Sequence, residues 1–317
     1  MEYNKLITKQ TIFLALAIVA LFATSCIKDN LDECPGLTLK VVNQNNEDVT
    51  PLGAVTSATL YVFDEDLKLL ETRSLEEAFI KNRQNIQLSY PADTKLHLVA
   101  WGNLTGEKQV VPNAKSAEEL NIMLNSNNGE AQSPDDLFYG LKEFIIGAGG
   151  SQEIVIAPKV GQVTMQTEGL QYAIEKNPSF RSASVSGSSS AYEFQLNRTL
   201  SGYNYKGEQI GESVYYKPEG DWDETATEWV TPEPSNVCEG QNLSCSFMDE
   251  NGVLQTVDEY EHSDGTVGPV DIKVYENILI LFRWNDQGAF IGAKVTVTPW
   301  GVAVSYTHLT LPTRCLV

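Results

Sequence analysis

Short segments in which apolar and polar residues alternate recur along this sequence, and they constrain its fold more than any other feature. These segments are residues 37–42, 58–63, 85–90, 95–101, 152–157 and 162–167, and the alternation is clearest over 37–42 and 85–90. Side chains of a β-strand point alternately to its two faces, so each segment predicts a strand. Many short strands separated by turn residues are typical of a β-sandwich.

The second half of the chain repeats this pattern around one clear hairpin. Residues 277–284 and 289–298 are predicted strands, and the four-residue loop 285–288 between them ends in glycine, a length common in hairpins. A Pro-Lys-Val-Gly break separates the strands of the two halves. We therefore expect an all-β chain of two tandem β-sandwich domains, residues 37–160 and 161–303.

Two short segments favour helices within this β framework. Residues 75–81 are compatible with a single helical turn. Ser116 and Glu119 have the spacing of a capping box, in which two side chains satisfy free N–H groups at the start of a helix. We therefore expect a short helix over residues 116–124.

The amino terminus has the organisation of a secretory signal peptide. Lys5 and Lys9 precede an apolar run, residues 11–22, which is too short for a stable membrane span of roughly 20 residues. Small residues then lead to Cys26, an arrangement that resembles a bacterial lipobox. We expect residues 1–25 to be removed and Cys26 to be acylated, with residues 26–36 as an acidic tether. The alternative is an ordinary signal peptide beside a structural cysteine.

Charge excludes several classes of partner. The sequence has 22 Lys plus Arg against 42 Asp plus Glu, for a formal charge of -20. Nucleic acid binding needs clustered cations, so we expect no nucleic acid partner. Charge attraction to an anionic membrane is excluded on the same ground, so that a lipid must provide any membrane tether.

Cysteine and histidine spacing indicates no metal centre. Cys238 and Cys245 lie seven residues apart in a polar region, which makes them a candidate disulfide in an oxidising compartment, with two free thiols as the alternative. No Cys-x-x-Cys pair occurs, and His97, His262 and His308 are scattered, so we expect no zinc site. Cys34 has no evident partner.

We also expect no catalytic activity and no cofactor. The sequence contains neither a Gly-x-Ser-x-Gly elbow nor a glycine-rich phosphate loop. The carboxylates at residues 64–66 lack the ligand spacing of a calcium loop and are better explained as a turn between strands. Trp101 and Trp284 occupy strand positions, as does Trp300, and we interpret all three as core residues.

The last segment, residues 304–317, does not match the rest of the chain. It resembles a translated sequencing adapter of the kind found at the ends of metagenomic gene predictions. We expect a non-native tail, which would make His308 and Cys315 artefacts. The alternative is a genuine final strand.

Several segments together resemble the fimbrillin-associated minor subunits and anchor lipoproteins of Bacteroidales type V pili. They are residues 26–35, 59–64, 97–104, 136–140 and 295–300. The resemblance implies two transthyretin-like, immunoglobulin-like β-sandwiches and a lipidated cysteine in the outer membrane, exposed at the cell surface. It also implies pilin (fimbrillin) subunits as partners, joined by β-strand complementation.

The same resemblance bears on which subunit this is. In related stalk subunits a protease removes the first strand after a basic residue and opens a groove for the next subunit. Here no arginine lies between the first two predicted strands, and the first arginine after Cys26 is Arg73. We therefore expect this chain to keep its first strand, as an anchor requires, although Lys40 could serve a protease of other specificity.

A second hypothesis is a surface glycan-binding lipoprotein. Its binding face would be the acidic segment 203–229, which is rich in tyrosine and tryptophan. Such acidic clusters are more often solvated loops.

Overall fold

The computed structural model describes residues 36–147, 149–176, 192–223, 228–249 and 251–299. The predicted all-β fold with short helices is confirmed. The strands of the first half are β1 (Leu37–Val41), β2 (Ser57–Phe63), β3 (Leu69–Glu76), β4 (Lys95–Gly102), β5 (Gln109–Val110), β6 (Ile122–Leu124), β7 (Ser126–Asn127), β8 (Glu130–Ala131), β9 (Phe138–Ile145) and β10 (Gln152–Pro158). Those of the second half are β11 (Gly161–Glu168), β12 (Gln195–Tyr203), β13 (Gln209–Tyr216), β14 (Asp221–Trp222), β15 (Trp229–Val230), β16 (Ser235–Val237), β17 (Gly240–Met248), β18 (Leu254–Val257), β19 (Tyr260–Glu261), β20 (Val267–Gly268), β21 (Glu276–Trp284) and β22 (Phe290–Pro299).

Within the described residues the helices are few and short. The predicted helical turn is confirmed as α1 (Glu77–Lys81), and α2 (Leu170–Lys176) lies in the second half. The predicted signal peptide, Cys26, Cys34, Trp300 and the tail 304–317 lie outside the described residues.

One six-stranded sheet carries the first half of the chain. Its strand order is β1-β10-β9-β4-β2-β3, and every neighbouring pair is antiparallel except β1 and β10. That parallel pair has five register partners, from Leu37 with Gln152 to Val41 with Ile156. The first strand of the sequence is therefore the edge strand of this sheet.

Two eight-stranded sheets carry the second half. One has the order β14-β15-β11-β21-β22-β19-β20 with β16 beside β11, and the other has the order β18-β17-β12-β13-β8-β7 with β6 beside β12 and β5 beside β6. The predicted hairpin is confirmed as β21 and β22, and the Asn285 N–H closes its loop on the Ala289 oxygen at 3.0 Å.

Both faces of the six-stranded sheet are buried. One face packs Leu60, Val62 and Leu98 into a core formed within the first half, which we call the N-terminal core. The opposite face contributes Tyr61 and Trp101 to a second core, shared with the second half, which we call the central core. Since β5–β8 also join the sheet of β12 and β13, the two halves share structure, and the boundary near residue 160 stays a prediction.

Two predicted elements differ in the structure. The helix over 116–124 was wrong: only the 3-10 turn Ala117–Glu119 forms before β6 begins. Leu120, Ile122 and Leu124 are all buried, and this period of two favours a strand over a helix. The strand predicted over 85–90 is also wrong, because only one isolated bridge, Leu37 with Ile86, forms there.

Candidate functional site

The first strand, β1, is built into the N-terminal core rather than laid on its surface. Leu37, Leu39 and Val41 are each 1% exposed, and they alternate with half-buried Thr38 and Lys40. Full burial of one such side chain is worth about 1.5–3 kcal/mol. Three buried side chains therefore hold this edge strand firmly in its sheet.

Hydrogen bonds to β10 extend past both ends of the strand. The Gln152 N–H donates to the Gly36 oxygen at 2.8 Å, and the Val42 N–H donates to the Ile156 oxygen at 3.0 Å. The parallel ladder thus includes the residue on either side of β1.

The outer edge of β1 is closed at its amino end by the segment that follows α1. The Leu37 N–H donates to Asn85 Oδ1 at 2.9 Å, and the Leu37 oxygen accepts from the Ile86 N–H at 2.7 Å. An edge strand normally presents unpaired backbone groups on which another chain can pair. Here both groups of Leu37 are already used.

The carboxyl end of the same edge is closed by the turn after β1. The Val41 N–H donates to Thr50 Oγ1 at 2.8 Å, and the Val49 N–H donates to the Val41 oxygen at 2.9 Å. Only Leu39 lies between these two closures. The outer edge of β1 therefore offers no continuous row of free backbone groups.

Ion pairs on the polar face join β1 to its neighbours. Lys40 Nζ lies 3.6 Å from a Glu153 carboxylate oxygen, Arg83 lies 3.6 Å from the other, and Arg83 also pairs with Asp48. Hydrogen bonds from Thr50 and then Arg83 lower the pKa of Asp48 to about 2. Asp48 is therefore ionised at neutral pH and keeps Arg83 beside the strand.

The structure also locates the basic residues relevant to proteolysis. Lys40 lies within β1, where it is paired in register with Val155. Arg73 lies on β3, and its Nε donates to Glu71 Oε2 at 3.0 Å. The connection 42–56 contains neither lysine nor arginine. A protease that cleaves only after lysine or arginine therefore has no site in this connection at which it could free an intact β1.

Comparison with known proteins identifies the family of this chain. A family model described as fimbrillin-A associated anchor proteins Mfa1 and Mfa2 matches residues 31–306. This chain belongs to that family. The family consists of fimbrial structural and anchor proteins, and it is not a known enzyme family.

Individual relatives align with nearly the whole chain. The major fimbrium anchoring subunit FimB of Porphyromonas gingivalis strain W83 is 26% identical over 319 residues, covering 95% of this chain and 98% of the relative. A further Porphyromonas gingivalis FimB is 28% identical, with 93% and 95% covered.

Solved structures share the fold of this family member. The fimbrial anchor protein Mfa2 from Porphyromonas gingivalis matches with a TM-score of 0.53 and 14% identity, covering 84% of this chain and 98% of Mfa2. An adhesin candidate from Bacteroides ovatus matches with a TM-score of 0.59 and 17% identity, covering 86% and 96%. At these identities the likeness concerns the fold alone.

The candidate disulfide is not formed. Cys238 and Cys245 are both buried as free thiols. Gly240 and Cys245 pair with β12 residues three positions apart, which separates them by about 10 Å along the strand. Cys238 lies outside β17, in the connection after β16, where its N–H donates to the Tyr216 hydroxyl at 3.3 Å.

Burial also makes both thiols unreactive. It raises the pKa of Cys238 to about 11 and that of Cys245 to about 12. The thiolate is the reactive form of cysteine, so neither group is a nucleophile near neutral pH. Both therefore serve as core residues.

Aromatic side chains of the segment named in the glycan hypothesis are buried or packed against the central core. Tyr203 and Tyr216 are almost fully buried, and Trp229 is 7% exposed and stacks on Phe194 at 4.6 Å between ring centroids. Partly buried Tyr205 and Trp222 also pack against the central core. Buried rings cannot act as a sugar-binding platform, so these side chains do not support the glycan hypothesis.

Other sequence interpretations can be located in the fold. Trp101 and Trp284 are buried, as predicted. Asp64 forms a turn, its Oδ1 accepting from the N–H groups of Asp66 and Lys68. Across the described ranges no group of three potential metal ligands occurs. Nor does any helix in that part of the chain have the length and apolarity needed to cross a bilayer.

The closures of β1 were not predicted from the sequence. Thr50 precedes a proline after a turn-rich stretch, which is a weak local signal for a side chain that satisfies backbone groups. Asn85 lies 48 residues from its partner Leu37, and no local pattern reports such a contact.

Proposed function

We propose that this chain is an outer-membrane lipoprotein that anchors or terminates a fimbria at the cell surface. Lipid on Cys26 would hold the chain to the membrane, and the pilin subunits would join it by β-strand complementation. The closed first strand carries this proposal. A subunit that keeps β1 keeps its covalent connection from the lipid to the fold.

The reach of the tether is consistent with this role. Residues 26–36 connect the proposed lipid site to β1, and ten extended residues span at most about 35 Å. The body would stay close to the bilayer surface. Several acyl chains, each adding about 0.8 kcal/mol per buried methylene, would retain it there against a net charge of -20.

The names of the relatives support the same role. FimB of Porphyromonas gingivalis is called a major fimbrium anchoring subunit, and Mfa2 is called a fimbrial anchor protein. We extend that role to this chain as part of the proposal.

The decisive experiment compares Cys26→Ala with the unmodified gene in a Bacteroides-type host. Fimbriae are followed by surface labelling and by fractionation of cells and medium. We expect Cys26→Ala to shed fimbriae into the medium while the unmodified chain retains them. Cys34→Ala is the matched control, because it changes another cysteine of the same tether and should retain fimbriae.

Two results would contradict the proposal. In one, Cys26→Ala retains fimbriae as well as the unmodified chain does. In the other, neither form affects fimbriae although the unmodified chain reaches the surface. The second result would direct attention back to glycan binding.

A further inference from the structure

A groove runs along the other edge of the six-stranded sheet, beside β3. Its volume is about 490 Å³. One wall is formed by Ser74, Leu75 and Glu76, and the other by Asn85, Ile86 and Gln87, with Arg73 and Phe79 also lining it. The second wall is the segment that closes β1, so the groove lies between two parts of the N-terminal core.

The backbone of β3 faces into this groove. The Asn103 N–H donates to the Ser57 oxygen at 2.8 Å, so Ser57 points its backbone groups toward β4. Successive strand residues alternate sides, so Ala58 points toward β3 and pairs there with Leu75. Ser74, next to Leu75, therefore points its N–H and C=O away from β2.

The opposite wall presents backbone groups as well. The Ile86 N–H is turned toward β1, where it bonds to Leu37, so its neighbours Asn85 and Gln87 are turned the other way. The Gln87 oxygen accepts from the Arg73 guanidinium at one end of the groove. The N–H groups of Asn85 and Gln87 have no partner among the described residues.

The dimensions and lining fit a short extended peptide. One strand residue occupies roughly 160 Å³, from a rise of about 3.3 Å, a strand spacing of about 4.8 Å and a layer depth of about 10 Å. The groove would therefore hold about three residues. Leu75 and Ile86 are buried in the N-terminal core at its floor, while Ser74, Glu76 and Gln87 are exposed at its rim.

We propose that this groove receives an extended segment of a fimbrial subunit, which pairs its backbone with β3 on one side and with residues 85–87 on the other. Only a polypeptide backbone offers alternating donors and acceptors along both edges. One apolar side chain of that segment would point to the floor. The inference rests on the proposed function, because it assigns the groove to the partner that an anchor must hold.

The test uses the full-length chain in its native host with a photo-crosslinking residue in place of Gln87. The comparison position is Leu254, which is 60% exposed on the edge strand β18. Illumination should join the Gln87 variant to a fimbrial subunit, identified by mass spectrometry, at a yield at least about tenfold above that of the Leu254 variant. Equal yields, or no product at Gln87 while fimbriae remain on the cells, would overturn the proposal.

A second variant tests the backbone pairing itself. Ser74→Pro removes an N–H that points into the groove and leaves the bonds to β2 in place. In a chain that also carries the Gln87 probe, Ser74→Pro should reduce crosslinking by about tenfold and Ser74→Ala should not. If the proline variant fails to fold, the proposal is judged from the yield at Gln87 in the chain that keeps Ser74.

The outcomes also separate this inference from the proposed function. If Cys26→Ala sheds fimbriae and Gln87 gives no product, the anchor role stands and the groove is not its contact. If Cys26→Ala sheds nothing, the anchor role itself is wrong.

Discussion

At the scale of single residues, one turn type recurs between the strands. In five turns an Asx Oδ1 accepts from the N–H groups two and four residues later, and these Asx residues are Asn43, Asp64, Asn204, Asp249 and Asn285. The third residue after each has a positive φ, and these residues are Asn46, Leu67, Gly207, Gly252 and Gly288. An Asx residue thus specifies each turn locally, and glycine supplies the positive φ in three of the five.

The glycine of the last turn is required for two reasons. Gly288 has a φ of +70°, and a Cβ there would lie 2.7 Å from the Tyr172 oxygen. We expect Gly288→Ala to lower the free energy of unfolding by about 2–4 kcal/mol, which combines the cost of positive φ with overpacking. Gly252 has a φ of +71° and open space around it, so Gly252→Ala should cost only about 1 kcal/mol. Urea unfolding measures both, and equal losses would contradict the close approach.

One buried carboxyl makes stability depend on pH. Burial, followed by repulsion from Asp135, raises the pKa of Asp136 to about 6, and its Oδ1 has no hydrogen-bond partner. The folded state therefore holds the proton more tightly than the unfolded state, whose pKa is near 3.8. This contribution is fully present below about pH 4 and is lost as pH rises through 6.

Asp136→Asn tests that dependence. The variant carries no charge at any pH, so we expect it to exceed the natural chain in unfolding free energy at pH 7.5 by about 1–3 kcal/mol. At pH 4 the two proteins should agree closely, which serves as the internal control. Urea unfolding at both values provides the measurement, and a constant difference between them would exclude this cause.

At the scale of elements, β1 is stabilised mainly by the side chains on its buried face. We expect Leu39→Ala to reduce the free energy of unfolding by about 2–5 kcal/mol, because it empties part of the N-terminal core. Thr38→Ala, on the neighbouring residue of the opposite face, should cost less than about 1 kcal/mol. Urea unfolding of the two variants checks this, and comparable losses would argue against a firmly seated strand.

Most elements could be predicted where one local period dominates. Alternation predicted β1, β2, β4, β10 and the β21–β22 hairpin. The absence of arginine between the first two strands is part of the proposal that β1 is retained. Over residues 116–124 a helix-capping signal conflicted with apolar residues at every second position. Pairing with β12 stabilises the strand β6 there instead of a helix. An evident hairpin signal, Asn128-Gly129 between β7 and β8, was missed.

At the scale of the whole molecule, the two halves are joined through the central core. Trp101 of β4 is fully buried there, with its ring 4.9 Å from that of Tyr139 and 6.0 Å from that of Tyr203 in β12. This sharing could not be predicted from the sequence, because alternation shows that a face is buried but not which distant segment covers it. The disulfide prediction failed similarly, since a separation of seven residues in sequence does not show where the fold places the two thiols.

Shared packing predicts cooperative unfolding. We expect calorimetry to show one transition for both halves, and Trp101→Ala to lower the free energy of unfolding by about 3–5 kcal/mol. Leu52→Ala should have little effect, because Leu52 is 77% exposed. Two separate transitions, with only one displaced by Trp101→Ala, would show that the halves unfold independently.

If the chain is tethered through residues 26–36 as proposed, the parallel pairing of β1 with β10 has a mechanical consequence. A force that pulls residue 36 backward along the axis of β1 strains all five register pairs together, because none can break until the whole strand slides. A force perpendicular to the strand would instead peel the pairs apart one by one. The direction of the pulling force, more than the number of hydrogen bonds, would therefore determine how long the β1–β10 pairing resists flowing fluid.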